Sequence, residues 1–210
     1  MLYFNKFIKS YGSRTIVKIE EMELSNGIYW LKGVNGSGKS TLLKSVCGFL
    51  HFEGEISLNN ISLKNSGVDY RKKINFADAE PIYPEFLTGN EMIKLFLKAK
   101  SGSITQAEYY IQSMDMGSYL NNPLGTYSSG MLKKLSLVLA FLGNPTLICL
   151  DEPLITIDTD SLSVLYQWIK EKYEKENTGF ILSSHQPLDL SVFNKVSTLS
   201  LKDGKLHPSN

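Results

Sequence analysis

The nine residues Gly33-Val34-Asn35-Gly36-Ser37-Gly38-Lys39-Ser40-Thr41 constrain this chain more than any other stretch. They match G-x-x-x-x-G-K-[ST], a loop that wraps a phosphate group. The apolar run Ile28-Tyr29-Trp30-Leu31 precedes it and reads as a strand. Ser40 to Phe49 follows with Leu42, Leu43 and Val46 on one helical face. Strand, loop and helix in that order are the context the motif needs. Glycines let the backbone close around phosphate oxygens, and successive N–H groups at the helix start point at the anion. Lys39 has the reach to meet the β- and γ-phosphates, and the Ser40 hydroxyl suits Mg²⁺. A turn that merely starts a helix would need neither Lys39 nor Ser40.

A length of 210 residues suits one domain with room for an inserted lobe, and 42% apolar residues suffice for a core. Basic and acidic residues number 22 and 21, a net charge of +1 that lends no support to a nucleic-acid partner. Cys47 and Cys149 have no metal-ligand spacing and read as small buried hydrophobes, as in a reducing compartment. Met1 to Ser10 lacks the apolar block of a signal peptide, and Gly143-Asn144-Pro145 cuts the longest apolar region. A cytoplasmic chain is expected, linked to a membrane only through a partner.

Leu2 to Ile8 and Ile16 to Leu24 read as strands. Tyr11 lies between them beside Gly12, as a turn aromatic or as a flat platform for a nucleobase. Ile56 to Leu63 reads as a hairpin about Asn59-Asn60, and Ile74 to Ala77 as a short strand. Pro81 and Pro84 then mark a loop. Thr88-Gly89-Asn90-Glu91 and Thr105-Gln106-Ala107-Glu108 both carry capping-box spacing, so two helices are expected to open there. Residues 85–143 read as an all-helical lobe inserted in a mixed α/β core of residues 1–84 and 144–210. Leu147 to Leu150 and Phe180 to Leu182 read as buried strands, Asp160 to Glu176 as an amphipathic helix, and Val196 to Leu206 as a hairpin about Asp203-Gly204.

Two carboxylates, Asp151 and Glu152, end the strand at Leu150. Beside a phosphate loop the first suits Mg²⁺ and the second suits orienting and deprotonating the attacking water. Ser183-Ser184-His185 ends the next strand, where a histidine can address a γ-phosphate. Tyr127-Ser128-Ser129-Gly130-Met131 opens a strongly apolar helix. It is an N-cap by residue type, and a capped helix end can also face an anion.

With these motifs together, the chain resembles the ATP-binding subunit of an ABC transporter over nearly its whole length, Phe4 to Leu206. Gly33 to Thr41 is similar to the Walker A loop, and Leu147 to Asp151 to Walker B with Glu152 as catalytic carboxylate. Tyr127 to Met131 is similar to the signature motif, Leu154 to Asp158 to the D-loop, and His185 to the switch histidine. Tyr11 falls at the adenine-stacking aromatic.

The resemblance implies a P-loop ABC-type ATPase core with an antiparallel β subdomain and the helical lobe. It implies Glu152, His185 and Lys39 as catalytic residues. Tyr11, Asn35, Gly36, Ser37, Gly38, Lys39, Ser40, Thr41, Ser128, Gly130 and Asp158 would contact nucleotide, and Ser40 and Asp151 would hold the metal. ATP and Mg²⁺ are the implied cofactors. The implied partners are a second ABC subunit in a head-to-tail dimer and a separate transmembrane permease, with the chain peripheral on the inner membrane face and export ahead of import. Two departures stand out. The signature keeps Ser128 and Gly130 only. Ala79 occupies the place of the family's metal-contacting Gln, leaving Asp78, Glu80 or water to serve. A soluble single-domain ATPase switching a protein assembly, such as iron–sulfur cluster biogenesis, is the alternative reading.

Overall fold

The computed structural model describes residues 1–187, 189, 192–193 and 195–209. Alternating apolar residues build a first, antiparallel sheet in the order β2-β1-β4-β5. Its strands are β1 (Leu2–Tyr11), β2 (Arg14–Leu24), β4 (Glu53–Leu58) and β5 (Ile61–Ser62). Phe4 and Phe7 of β1, with Val17 and Ile19 of β2, turn inward. Asn59 and Asn60 both have positive φ, the requirement of a tight two-residue hairpin turn.

The second sheet runs β10-β9-β3-β8-β7-β6. Its strands are β3 (Ile28–Lys32), β6 (Ile74–Ala77), β7 (Leu147–Asp151), β8 (Gly179–Ser183), β9 (Ser197–Lys202) and β10 (Lys205–Ser209). All neighbours are parallel except β10, which returns through the turn at Asp203 and Gly204. Strands β7 and β8 are buried throughout, hence their unbroken apolar runs. Register places Leu31, Ser183 and Asp151 in one row. The carboxyl ends of β3, β8 and β7 therefore deliver their loops to one edge, where open α/β sheets bind ligands.

Helix α1 (Lys39–Val46) and α2 (Gly67–Lys73) precede β6. Leu42, Leu43 and Val46 of α1 pack with the two sheets' inner faces, in a core that also buries the free thiols Cys47 and Cys149. Between β6 and β7 come α3 (Gly89–Lys100), α4 (Ile104–Ser113), a 3₁₀ turn at Leu124–Thr126 and α5 (Ser129–Phe141). The capping box at Thr88 forms in full, with Glu91 Oε2 accepting from the Thr88 N–H at 2.8 Å. The second expected box does not open its helix. Thr105 lies inside α4, and Ser103 caps it by accepting from the Gln106 N–H. Ser103 has the extended backbone a cap needs, two residues after the positive φ at Ser101 that ends α3.

Helix α6 (Thr159–Glu176) covers the sheet with Leu165, Trp168 and Ile169. Trp168 meets Tyr110 of α4 edge-on at 4.6 Å and Phe141 of α5 at 5.2 Å, so the helices after β6 share a core with the sheet. Among the described residues no helix is long and apolar enough to cross a membrane.

Candidate functional site

The loop from β3 to α1 shows why its glycines are needed. Gly36 and Gly38 have φ of +76° and +104°, a region costly for side chains with a Cβ. A Cβ on Gly38 would stand 2.8 Å from Ile16 Cγ2. One on Gly33 would stand 2.5 Å from Ser37 Oγ and 2.8 Å from the Leu201 carbonyl. The loop is thus pressed against β2 and β9. Lys39 Nζ donates to the Gly33 carbonyl at 2.9 Å and lies 3.3 Å from His185 Nε2. Burial lowers the Lys39 pKa, and the charges of Glu152 and Asp151 work against the fall.

Asp151 and Glu152 follow directly from the row register. Ser183 Oγ donates to Asp151 Oδ1 at 2.5 Å and accepts the Glu152 N–H at 3.1 Å. Asp151 Oδ2 is buried without a bonded partner. Glu152 has φ of +44°, a strained conformation for a residue with a Cβ. Its Oε2 accepts the His185 N–H at 3.2 Å. Its Oε1 lies 3.0 Å from His185 Nε2, a close approach without hydrogen-bond alignment.

A cavity of about 290 Å³ is lined by Tyr11, Gly36, Gly38, Lys39, Ser40, Thr41, Glu152 and His185, together with Arg14 and Ile16. Tyr11 ends β1, is 51% exposed and has Lys9 Nζ 4.5 Å from its ring centre. Asn35 and Ser37 line a neighbouring cavity of about 500 Å³, bounded by the β9–β10 hairpin. A third cavity, of about 380 Å³, brings Ser40 and Asp151 together with Lys44, Asp78, Ala79 and Glu80. Asp78 pairs with Lys44 at 2.8 Å.

Among the described residues no three His, Cys, Asp or Glu side chains form a ready metal cage. The donor set of one hydroxyl and one unpartnered buried carboxylate oxygen nevertheless fits Mg²⁺. That ion takes few protein ligands and fills its shell with water and phosphate. Such a bound ion would stabilise charge on a phosphate chain.

Ser128, Gly130 and Asp158 line none of these three cavities. Ser128 caps α5, accepting from the Met131 N–H at 3.3 Å. Asp158 caps α6, accepting from the Ser161 N–H at 2.8 Å, and pairs with Lys134 of α5 at 3.0 Å. The Ser161 N–H, ahead of Lys134, holds the Asp158 pKa well below the usual carboxylate range.

Arg14, Ile16, Lys44, Ser183 and Lys133, at or behind the site, escape the motif reading. Lys133 is fully buried, and its Nζ donates to the carbonyls of Asp78 at 2.8 Å and Asp151 at 3.0 Å. Burial pulls its ammonium down to about 8, against the charges of Asp151, Asp78 and Glu152. A signal for Lys133 was available, because it falls in the helical stripe of Leu137, Ala140 and Phe141, all buried.

Comparison with known proteins identifies the family. The family model described as "ABC transporter" matches residues 20–155. The cytochrome c biogenesis ATP-binding export protein CcmA of Legionella pneumophila is 30% identical, over 80% of this chain and 83% of its own length. An ABC transporter ATP-binding protein of Bacillus subtilis (strain 168), YdbJ, is 29% identical over 88% of this chain, which spans 61% of that relative's length. A solved ATP-binding cassette, a dimer in a post-hydrolysis state bound to ADP and phosphate, superimposes with a TM-score of 0.84. It is 20% identical and covers 100% of this chain and 98% of its own. The chain belongs to the ABC transporter family and carries its ATP-binding, ATP-hydrolysing domain.

Proposed function

We propose that this chain is the motor of a membrane exporter. It would bind ATP with Mg²⁺, close head to tail on a second ABC subunit, and drive a separate permease through cycles of hydrolysis. The observation that carries the reading is a division of the site. Lys39, Ser40, Glu152 and His185 meet in one cavity, whereas Ser128 and Gly130 line none of its walls. A capped helix N-terminus that serves no nucleotide in its own chain is suited to serve one in another.

Within the cavity each residue has a physical task. Lys39 and the loop N–H groups hold the β- and γ-phosphates, and Tyr11 offers its exposed face to the base. Glu152, poised by Ser183 and His185, orients the attacking water and takes its proton. His185 bonds the γ-phosphate. Ser40 and Asp151 would hold Mg²⁺. Ser128 and Gly130, from the other subunit, would close over the γ-phosphate. Loss of that phosphate removes the ligand both subunits share, and the dimer opens. Residues 85–143 act as the lobe that carries the signature.

Export is supported by the likeness to CcmA, an export protein by name. The permease reading is supported by a cavity of about 300 Å³ where Phe49, Phe76, Pro81, Ile82, Tyr83 and Phe96 are joined by Lys44, Asp78 and Ser136. Ile82 there is 93% exposed. Such a groove suits the apolar face of a short helix. Through that partner the chain would sit on the cytoplasmic membrane face.

The test uses E152Q protein. With ATP and Mg²⁺ it should elute as a dimer and hydrolyse slowly, and without ATP as a monomer. Tagged E152Q protein should also retain a multi-span membrane protein after detergent extraction. Turnover at the wild-type rate removes Glu152 as the base. Retention of soluble partners alone moves the chain to a switch in protein assembly.

A further inference from the structure

We propose that Lys133 is a positioning residue for hydrolysis: its ammonium fixes the peptide between Asp151 and Glu152, and with it the aim of the Glu152 carboxylate. The inference rests on Glu152 being the base.

The argument starts from the strain at Glu152. A positive φ on such a residue is strained and persists only where its surroundings over-determine it. Both polar groups of the preceding peptide are pinned. Its carbonyl, on Asp151, accepts from Lys133 Nζ at 3.0 Å. Its N–H, on Glu152, donates to Ser183 Oγ at 3.1 Å, and that hydroxyl donates in turn to Asp151 Oδ1. The peptide cannot rotate without losing a bond on each side. Any such rotation would swing the Glu152 side chain away from the cavity it lines.

Packing alone does not call for an ammonium at this place. Lys133 is fully buried on a stripe of α5 otherwise filled by Leu137, Ala140 and Phe141. Burying a charge is costly unless it is well bonded, and an apolar residue of similar length would fill the volume without that cost. The bonds it makes are all to carbonyls at the ends of β6 and β7: Asp78 at 2.8 Å, Ala79 at 3.4 Å and Asp151 at 3.0 Å. The next residue, Lys134, pairs with Asp158 at 3.0 Å. Two consecutive lysines of α5 thus grip the two ends of the segment 151–158. The helix whose first turn carries Ser128 and Gly130 is also the support of its own chain's catalytic turn. A shift of that helix end, on meeting another subunit's nucleotide, would be felt at Glu152.

The test compares K133M, K133R and E152Q proteins by ATP affinity, measured with a fluorescent nucleotide, and by phosphate release. The phosphate loop does not contain Lys133, so K133M should bind ATP within about 3-fold of wild type while kcat falls at least about 10-fold, as misplacement of a catalytic group does. K133R, which keeps the charge and the donors, should recover most of kcat. A kcat for K133M within about 2-fold of wild type overturns the proposal, as does an ATP affinity that falls in step with kcat. If K133M does not fold, K133Q, which loses the charge and is too short to reach the Asp151 carbonyl, must show the same split. E152Q turnover at the wild-type rate would sink the underlying assignment of Glu152. A silent E152Q beside an unaffected K133M would sink only the role of Lys133.

Discussion

The imidazole of His185 stands against the carboxylate of Glu152, with Nε2 3.0 Å from Oε1 and the His185 N–H donating to Oε2 at 3.2 Å. The same Nε2 lies 3.3 Å from Lys39 Nζ. The histidine therefore joins the residue suited to activating water and the residue suited to holding phosphate. The arrangement depends on β8 lying between β3 and β7 in the parallel sheet.

Removing the imidazole should separate binding from turnover. H185A protein is expected to keep ATP affinity, because the loop and Lys39 remain, and to lose about 100-fold in kcat. Steady-state hydrolysis together with equilibrium nucleotide titration reads both quantities. An unchanged kcat would remove His185 from the reacting groups.

Gly38 should tolerate no side chain. With φ at +104° and Ile16 Cγ2 2.8 Å from an ideal Cβ, G38A forces both backbone strain and a clash with β2. A loss of about 1–3 kcal/mol in unfolding free energy is expected, with ATP binding abolished. Urea denaturation and nucleotide titration of G38A check the two halves independently.

Ser128 has a structural task, capping α5, and a proposed catalytic one. The cap is worth about 1 kcal/mol, so S128A should lower Tm by about 2–4 °C in a chain of this size. The loss of ATP-dependent dimer formation should be far larger than that shift explains. Calorimetry and size-exclusion chromatography separate them, and a dimer at wild-type strength would reduce Ser128 to a cap.

Acid should loosen the helix starts. The Thr88 N–H, then the Thr88 hydroxyl, depress the Glu91 pKa, and the Ser161 N–H depresses that of Asp158. Both folded values lie below the unfolded ones. The stabilisation is therefore present above the unfolded pKa near 4 and disappears as pH falls through the folded values. Unfolding by urea between pH 6 and pH 3 should show stability falling with acid, and the fall should be shallower in the E91Q, D158N double variant. Identical slopes would show that neither carboxylate matters to the acid response.

The sequence by itself determined the phosphate loop, the strands that flank it, the carboxylate pair and most helix starts. These are local matters. A glycine at positive φ, a capping hydroxyl or an alternation of apolar residues is set within a few positions of the chain. Even there local spacing misled once, when Thr105 competed with Ser103 for the start of α4 and the backbone leaving Ser101 decided for Ser103. Only the tertiary structure decided what meets across the sheet. Ser183 reaches Asp151 because two strands 32 residues apart share a register row. Lys133 serves Asp151 because α5 packs on the strand ends rather than beside them in sequence. Periodicity places a residue on a face of its own element. Which backbone that face then touches is set by strand order and helix packing, and no window of sequence contains them.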